Sequence, residues 1–167
     1  MNRNVEIYLN EWKTRERRKP LIIRGARQVG KTWSVDNFSK DFPYYIKIDF
    51  EENPEAVSIF RDNDITRITD ELALSTGTPV NDGETLLFFD ECQLCPDLFK
   101  ALRYFYEKRP NLHVVTAGSL IDFMLNDLEY PMPVGRVEFL YMYPLSFQEF
   151  LTAIDKEYLN DFLMNFQ

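Results

Sequence analysis

The sequence predicts an α/β protein in three layers, with a mostly parallel five-stranded sheet between helices. Two observations carry this prediction. Short, continuously apolar runs alternate along the chain with segments of helical periodicity, and such runs are typical of parallel strands buried on both faces. One of these runs, Leu21 to Ile23, is followed by Arg24 and a glycine-rich segment, and a further helical pattern comes next.

The composition fits one domain with a proper core, because 45% of the 167 residues are hydrophobic and 15% are aromatic. The net charge of −8 disfavours a whole-surface nucleic-acid binder. No apolar run is long enough to span a bilayer and no signal peptide is visible, so we expect a cytoplasmic protein without membrane contact. Cys92 and Cys95 have C-x-x-C spacing, which we interpret as incidental because no second metal-binding pair accompanies them.

The elements follow in order along the chain. Val5, Tyr8, Leu9 and Trp12 recur with helical spacing and predict an amphipathic helix that Pro20 ends. Strands are predicted at 21–24, 44–50, 85–89, 113–116 and 136–143. Further helices are predicted after Thr32, within 54–76, from Pro96, after Ser119 and behind the capping box of Ser146 and Glu149.

The chain divides into three predicted parts. Residues 1–19 form the N-terminal helix and a basic segment, 20–152 the core, and 153–167 the helical start of a linker or of a missing C-terminal domain. An apolar face continues to the last residue without a stop signal, which favours a fragment of a longer protein. That face consists of Tyr158, Leu159, Phe162, Leu163 and Phe166.

The segment GARQVGKT, Gly25 to Thr32, matches G-x-x-x-x-G-K-[ST], the Walker A pattern of a P-loop. Its glycines let the backbone wrap a phosphate, and the following helix N-terminus presents amide donors to negative charge. Lys31 is predicted to reach the β- and γ-phosphates of a bound nucleotide, and the Thr32 hydroxyl to ligate Mg²⁺. The predicted nucleotide-binding residues are Gly25, Ala26, Arg27, Gln28, Val29, Gly30, Lys31, Thr32 and Trp33.

A P-loop requires an acidic residue at the end of a buried strand, and LLFFDE at 86–91 supplies it. Asp90 is predicted to hold the metal shell together with Thr32, and Glu91 to act as the catalytic base toward water. A glutamate directly after the aspartate is typical of P-loop folds with an additional strand in the middle. This strand lies between the strand that precedes the P-loop (the cradle strand) and the strand that ends in the aspartate (the acidic strand). His113 to Thr116 is the additional strand, and it delivers Ser119, or as second choice Thr116, as a sensor beside the γ-phosphate.

Arg136 begins the last predicted strand, at the opposite end of the sheet from the nucleotide of its own chain. A role in cis is therefore disfavoured, and a role as a finger in trans requires a homo-oligomer. A structural or surface ion pair is the competing and slightly favoured interpretation. For Asp49, Glu51 and Glu52 a solvated turn is favoured, and for the basic cluster Arg15 to Lys19 a solvated helix end.

With these residues in view, the chain resembles the AAA-type P-loop ATPases of bacteria and archaea that carry a C-terminal domain of unknown function. RKPLIIRGARQVGKT, LLFFDECQ, HVVTAGS and VGRVEFLYMYPLSFQEFL carry the resemblance, from about Trp12 to Leu151. It implies an AAA+/RecA-like core, ATP as the nucleotide, and the roles given for Lys31, Thr32, Asp90 and Glu91. It also places Arg136 in the region where AAA+ proteins carry an arginine finger. Trp33 departs from the small residue that the family has after the lysine-threonine pair.

The leading functional hypothesis is Mg-dependent ATP binding and hydrolysis, coupled to the missing C-terminal domain and weakened in this fragment. A nucleotide-gated interaction module for an unidentified protein partner, with little turnover, is the second hypothesis. A DNA-associated ATPase that uses either the cluster Arg15 to Lys19 or the missing domain is the third hypothesis, and the acidic charge balance of this chain disfavours it.

Overall fold

The computed structural model describes residues 4–119, 121, 133, 135–156, 158, 159 and 162. Within these ranges five strands form one parallel sheet in the order β2-β3-β4-β1-β5. The strands are β1 Leu21–Arg24, β2 Tyr44–Asp49, β3 Thr85–Asp90, β4 His113–Gly118 and β5 Glu138–Tyr141. The predicted fold class is confirmed, and so is the position of β4 between the cradle strand β1 and the acidic strand β3.

Helices cover both faces of the sheet. They are α1 Asn4–Thr14, α2 Lys31–Phe38, α3 Ile65–Thr76, α4 Pro96–Lys108 and α5 Phe147–Ala153, with 3₁₀ turns at Ser39–Asp41, Pro54–Phe60 and Cys92–Leu94. On one face Leu9 and Trp12 of α1 share an apolar layer with Ile23 and Phe88. On the other face α3 and α4 pack on alternate residues of the same strands, such as Phe89. Side chains of successive strand residues point to opposite faces, so each continuous apolar run serves both layers.

Three predicted elements have different bounds in the structure. The first helix ends at Thr14 rather than near Pro20, because the chain folds back and the Trp12 indole donates a hydrogen bond to the Lys19 carbonyl at 2.8 Å. The predicted helix at 54–76 divides into a 3₁₀ turn and α3. The last strand spans only 138–141, because its partner β1 offers four residues for pairing.

The capping box of Ser146 and Glu149 is confirmed. The predicted helix after Ser119 lies outside the described residues apart from the helical Ile121, as do Leu163 and Phe166 of the C-terminal apolar face. Among the described helices none combines the length and the apolarity that crossing a membrane requires.

Candidate functional site

The predicted site residues, apart from Arg136, lie at one edge of the sheet. Because all five strands are parallel, their C-terminal ends lie at the same edge, where ligands of open α/β sheets bind. The loop 25–30 joins β1 to α2 there, Asp90 and Glu91 end β3, and Ser119 follows β4. Since β4 lies between β1 and β3, the loop after β1, the acidic pair after β3 and Ser119 after β4 lie next to one another at this edge.

The loop has the backbone that its glycines allow. Gly25 has a φ of 144°, and a Cβ added to it would lie 2.2 Å from the carbonyl oxygen of Met142, just beyond β5. Gly30 has a φ of 90° and stands at the N-terminus of α2. Gln28 also has a positive φ, 65°, in a region that costs a non-glycine residue about 1–2 kcal/mol. Three residues of the loop therefore have positive φ angles, which only glycine adopts without steric cost.

Lys31 is a buried cation whose hydrogen-bond partners are backbone carbonyls. Its Nζ donates to the oxygens of Gly25 at 2.9 Å and Ala26 at 2.8 Å. Burial lowers the pKa of Lys31, and the nearby carboxylates of Glu91 and Asp90 oppose that shift. The ammonium is thus held against the loop by two carbonyl oxygens, and a phosphate oxygen can replace a carbonyl as its acceptor.

Thr32 and Asp90 meet directly. Thr32 Oγ1 donates a hydrogen bond of 2.6 Å to Asp90 Oδ2, and the backbone amide of Glu91 donates to Asp90 Oδ1 at 3.0 Å. Burial raises the pKa of Asp90, and these two hydrogen bonds oppose the shift. A hydroxyl and a carboxylate are hard oxygen ligands of the kind that Mg²⁺ takes together with water and substrate phosphates. No group of three or more His, Cys, Asp and Glu side chains in the described ranges could hold a metal ion. A metal here would therefore depend on phosphate oxygens.

Glu91, the predicted base, directly follows Asp90 and is half-buried. It has a φ of 48° and starts the tight 3₁₀ turn Cys92–Leu94. Its Oε2 accepts a hydrogen bond of 2.5 Å from Gln93 Nε2, and Ser119 Oγ lies 3.5 Å from the same oxygen. The structure thus brings the predicted base and the predicted sensor together. Gln93 is absent from the predicted site, because its contact with Glu91 depends on the turn.

A cavity of about 650 Å³ lies beside the loop. Trp33, 47% exposed, forms part of its wall together with Pro144 and Leu145, which follow β5. The remaining lining residues belong to the loop: Ala26, Arg27, Gln28, Val29 and Gly30. Pro144 and Leu145 are absent from the predicted site, since two residues beyond a strand carry no ligand signature of their own. They reach the loop because β5 pairs with β1.

Arg136 lies away from this edge. It precedes β5, and its Nε donates to Glu107 Oε1 of α4 at 2.7 Å, in a half-exposed ion pair. Within one chain this is the ion pair that sequence analysis slightly favours, and the role in trans stays a prediction. Thr116, the second choice as sensor, is fully buried.

Other polar candidates have local structural roles. Asp49 accepts hydrogen bonds from the amides of Glu51 and Glu52, which makes a turn. In the basic cluster Arg18 is buried and donates to the carbonyls of Lys13 and Asn111. Cys92 and Cys95 are buried free thiols, and burial raises the pKa of Cys95 to about 12, which disfavours the thiolate needed for redox or metal chemistry.

A strained loop around a buried lysine, with a threonine-aspartate contact beneath it in a parallel sheet, defines a P-loop domain of the ATPase class. The AAA domain family model matches residues 17–151, and the chain belongs to this AAA family, whose fold is that of P-loop ATPases. No curated protein sequence matches the chain. Membership implies nucleotide binding at the level of the family.

Two solved structures share the fold. The Walker-type ATPase PABY2304 of Pyrococcus abyssi superposes with a TM-score of 0.59 at 20% identity, over 93% of this chain and 57% of that one. The Orc1 protein of Aeropyrum pernix, solved in complex with DNA, superposes with a TM-score of 0.51 at 13% identity, over 92% and 47%. The chain thus spans about half the length of these two proteins.

Proposed function

We propose that the chain binds Mg·ATP at the loop 25–32 and hydrolyses it, as the ATPase core of a longer protein. The observation that carries the proposal is the 2.6 Å contact between Thr32 and Asp90, which brings the loop and the acidic strand to one point. A Gly-rich loop without an acidic partner would support phosphate binding alone.

Each residue has a defined task in this proposal. Lys31 binds the β- and γ-phosphates in place of the carbonyls that it contacts here, and Thr32 and Asp90 would hold Mg²⁺. When bound, Mg²⁺ offsets the negative charge of the phosphate oxygens. Glu91 orients the attacking water and accepts its proton, and Ser119, beside Glu91, senses the γ-phosphate. The adenine base lies in the cavity beside Trp33, where an aromatic wall favours a flat ring.

Phosphate release measured with Mg·ATP tests the proposal. Lys31→Ala is expected to abolish ATP binding, whereas Glu91→Gln is expected to bind ATP and release little phosphate. Lys40→Ala is the matched control, because Lys40 is an exposed lysine that binds Asn37 at the end of α2. Phosphate release by Glu91→Gln at the parent rate contradicts the assigned base.

A second candidate, a nucleotide-gated interaction module, is favoured by the exposed apolar side chains beyond the cavity. Phe147 and Phe150 of α5 are 62% and 46% exposed, and α5 begins two residues after Leu145 of the cavity wall. ATP against this wall would alter the position of that helix. Partner binding that depends on ATP in Glu91→Gln, where turnover is blocked, supports this candidate.

A DNA-associated ATPase is the weaker alternative. The A. pernix protein was solved with DNA, but only its fold is shared with this chain. Arg18 is committed to carbonyl oxygens and Arg15 to Glu138, so two of the four basic residues have internal partners. Salt-dependent binding of duplex DNA that disappears on Arg17→Ala would support it.

A further inference from the structure

The Glu91 carboxylate is anchored through one of its two oxygens. Gln93 Nε2 donates to Oε2 at 2.5 Å, and the Ser119 hydroxyl lies 3.5 Å from that same Oε2. Both of these contacts, made by residues that the structure describes, are to Oε2 and not to Oε1. A carboxylate accepts hydrogen bonds only, so the Gln93 amide must present its nitrogen, which settles which end of the amide faces Glu91.

The backbone turn explains why a residue two positions away reaches this carboxylate. Glu91 has a φ of 48°, and the amide of Leu94 donates to the Glu91 carbonyl at 3.0 Å, which closes the turn Cys92–Leu94. In an extended strand the side chains at 91 and 93 would be directed to the same face without meeting. The turn brings the two side-chain ends into contact.

Gly118 leaves the space that the Gln93 amide occupies. A Cβ added to Gly118 would lie 2.3 Å from Gln93 Oε1 and 3.0 Å from Ile121 Cγ1. Gly118 is a strand residue without a left-handed φ, so its conformation does not require glycine. The first contact can be relieved only by moving the amide, whereas a small shift of Ile121 relieves the second.

We propose that Gln93 is the positioning residue of the hydrolysis reaction, and that Gly118 is kept small to admit it. Gln93 holds the Glu91 carboxylate by Oε2, so that Oε1 is presented to the water that attacks ATP. This inference rests on the proposed ATPase function. It assigns to Gln93 no contact with the nucleotide, so its loss affects the chemical step and leaves nucleotide binding unchanged.

Steady-state phosphate release and ATP affinity of Gln93→Ala test the inference. We expect kcat to fall about tenfold, the effect of losing one hydrogen bond to a charged group, with KM and ATP affinity unchanged. Gln93→Glu, which keeps the size but removes the donor and adds a like charge, is expected to lose at least as much. Leu94→Ala is the matched control, because Leu94 is 48% exposed in the same turn.

Gly118→Ala provides an independent arm. It is expected to lower kcat in the parent by displacing the amide, but to have little further effect in Gln93→Ala, where the added methyl enters vacated space. Additive losses, or a parent-like kcat in both Gln93 variants, overturn the inference. In that outcome an inactive Glu91→Gln shows that the proposed function stands and only Gln93 was misassigned. A fully active Glu91→Gln instead overturns the base itself.

Discussion

Thr32 Oγ1 lies 2.6 Å from Asp90 Oδ2, although 58 positions of sequence separate the two residues. Their strands are not neighbours, since β4 lies between β1 and β3. The contact therefore requires the loop after β1 to reach across the end of β4. It is the arrangement in which a hydroxyl and a carboxylate could share one metal ion with the phosphates of ATP.

Asp90→Asn is expected to lower phosphate release about 10- to 100-fold and to raise the Mg²⁺ concentration needed for half-maximal activity. The amide keeps a hydrogen bond to Thr32 but lacks the charge that attracts the metal shell. Titration of activity with MgCl₂ measures both effects. Asp97→Asn is the control, because Asp97 pairs with Lys100 on α4. An unchanged Mg²⁺ requirement in Asp90→Asn contradicts the metal assignment.

Gly25→Ala is expected to lower the free energy of unfolding by at least about 2 kcal/mol, because the backbone is strained and the methyl meets the Met142 carbonyl. Gly77→Ala is the matched control, with a φ of 65° and no atom within 4 Å of the added Cβ. It is expected to lose only about 1 kcal/mol. Urea unfolding compares the two variants, and equal losses would show that the close approach of β5 is unimportant.

ATP is expected to change the fluorescence of Trp33 and not that of Trp12. The chain has two tryptophans, and Trp12 is fully buried whereas Trp33 is 47% exposed at the cavity. Titration with ATP should therefore give a signal in the parent and in Trp12→Phe, and none in Trp33→Phe. A signal that survives in Trp33→Phe would place the base elsewhere.

His113 is expected to make stability depend on pH. Burial, with Arg18 nearby, lowers its pKa from 6.5 to about 4, so the unfolded chain binds the proton more readily. The free energy of unfolding is unaffected by the protonation of His113 above pH 6.5, where the imidazole is neutral in both states. It falls as the pH decreases toward 4, by up to about 3 kcal/mol. Urea unfolding across this interval should show a shallower slope for His113→Asn. Parallel slopes would mean that other groups cause the dependence.

The trans role of Arg136 predicts that ATPase activity per chain rises with protein concentration and that Arg136→Ala abolishes the rise. Glu107→Gln is the matched control, because it breaks the same ion pair and keeps the arginine. Strict proportionality between activity and concentration, or equal losses in both variants, would leave Arg136 with its structural ion pair alone.

Local pattern was sufficient to locate the strands along the chain, because a run such as Leu86 to Phe89 is apolar on both faces, as is typical of a buried parallel strand. It failed at α1, whose end depends on Arg18 and Lys19 folding back over the helix. It also failed at β5, whose length depends on its partner β1. Element ends depend on neighbours that are distant in sequence.

The P-loop motif, the acidic pair and the parallel sheet could be predicted from the amino-acid sequence, since spacing and apolar runs are local properties of the chain. The approach of Pro144 and Leu145 to the loop beside Trp33 could not, because it depends on the pairing of β5 with β1. Only the tertiary structure decided that the turn after Glu91 places Gln93 on the carboxylate while Gly118 leaves it room. These contacts depend on strand order and turn closure, which arise when the whole core packs.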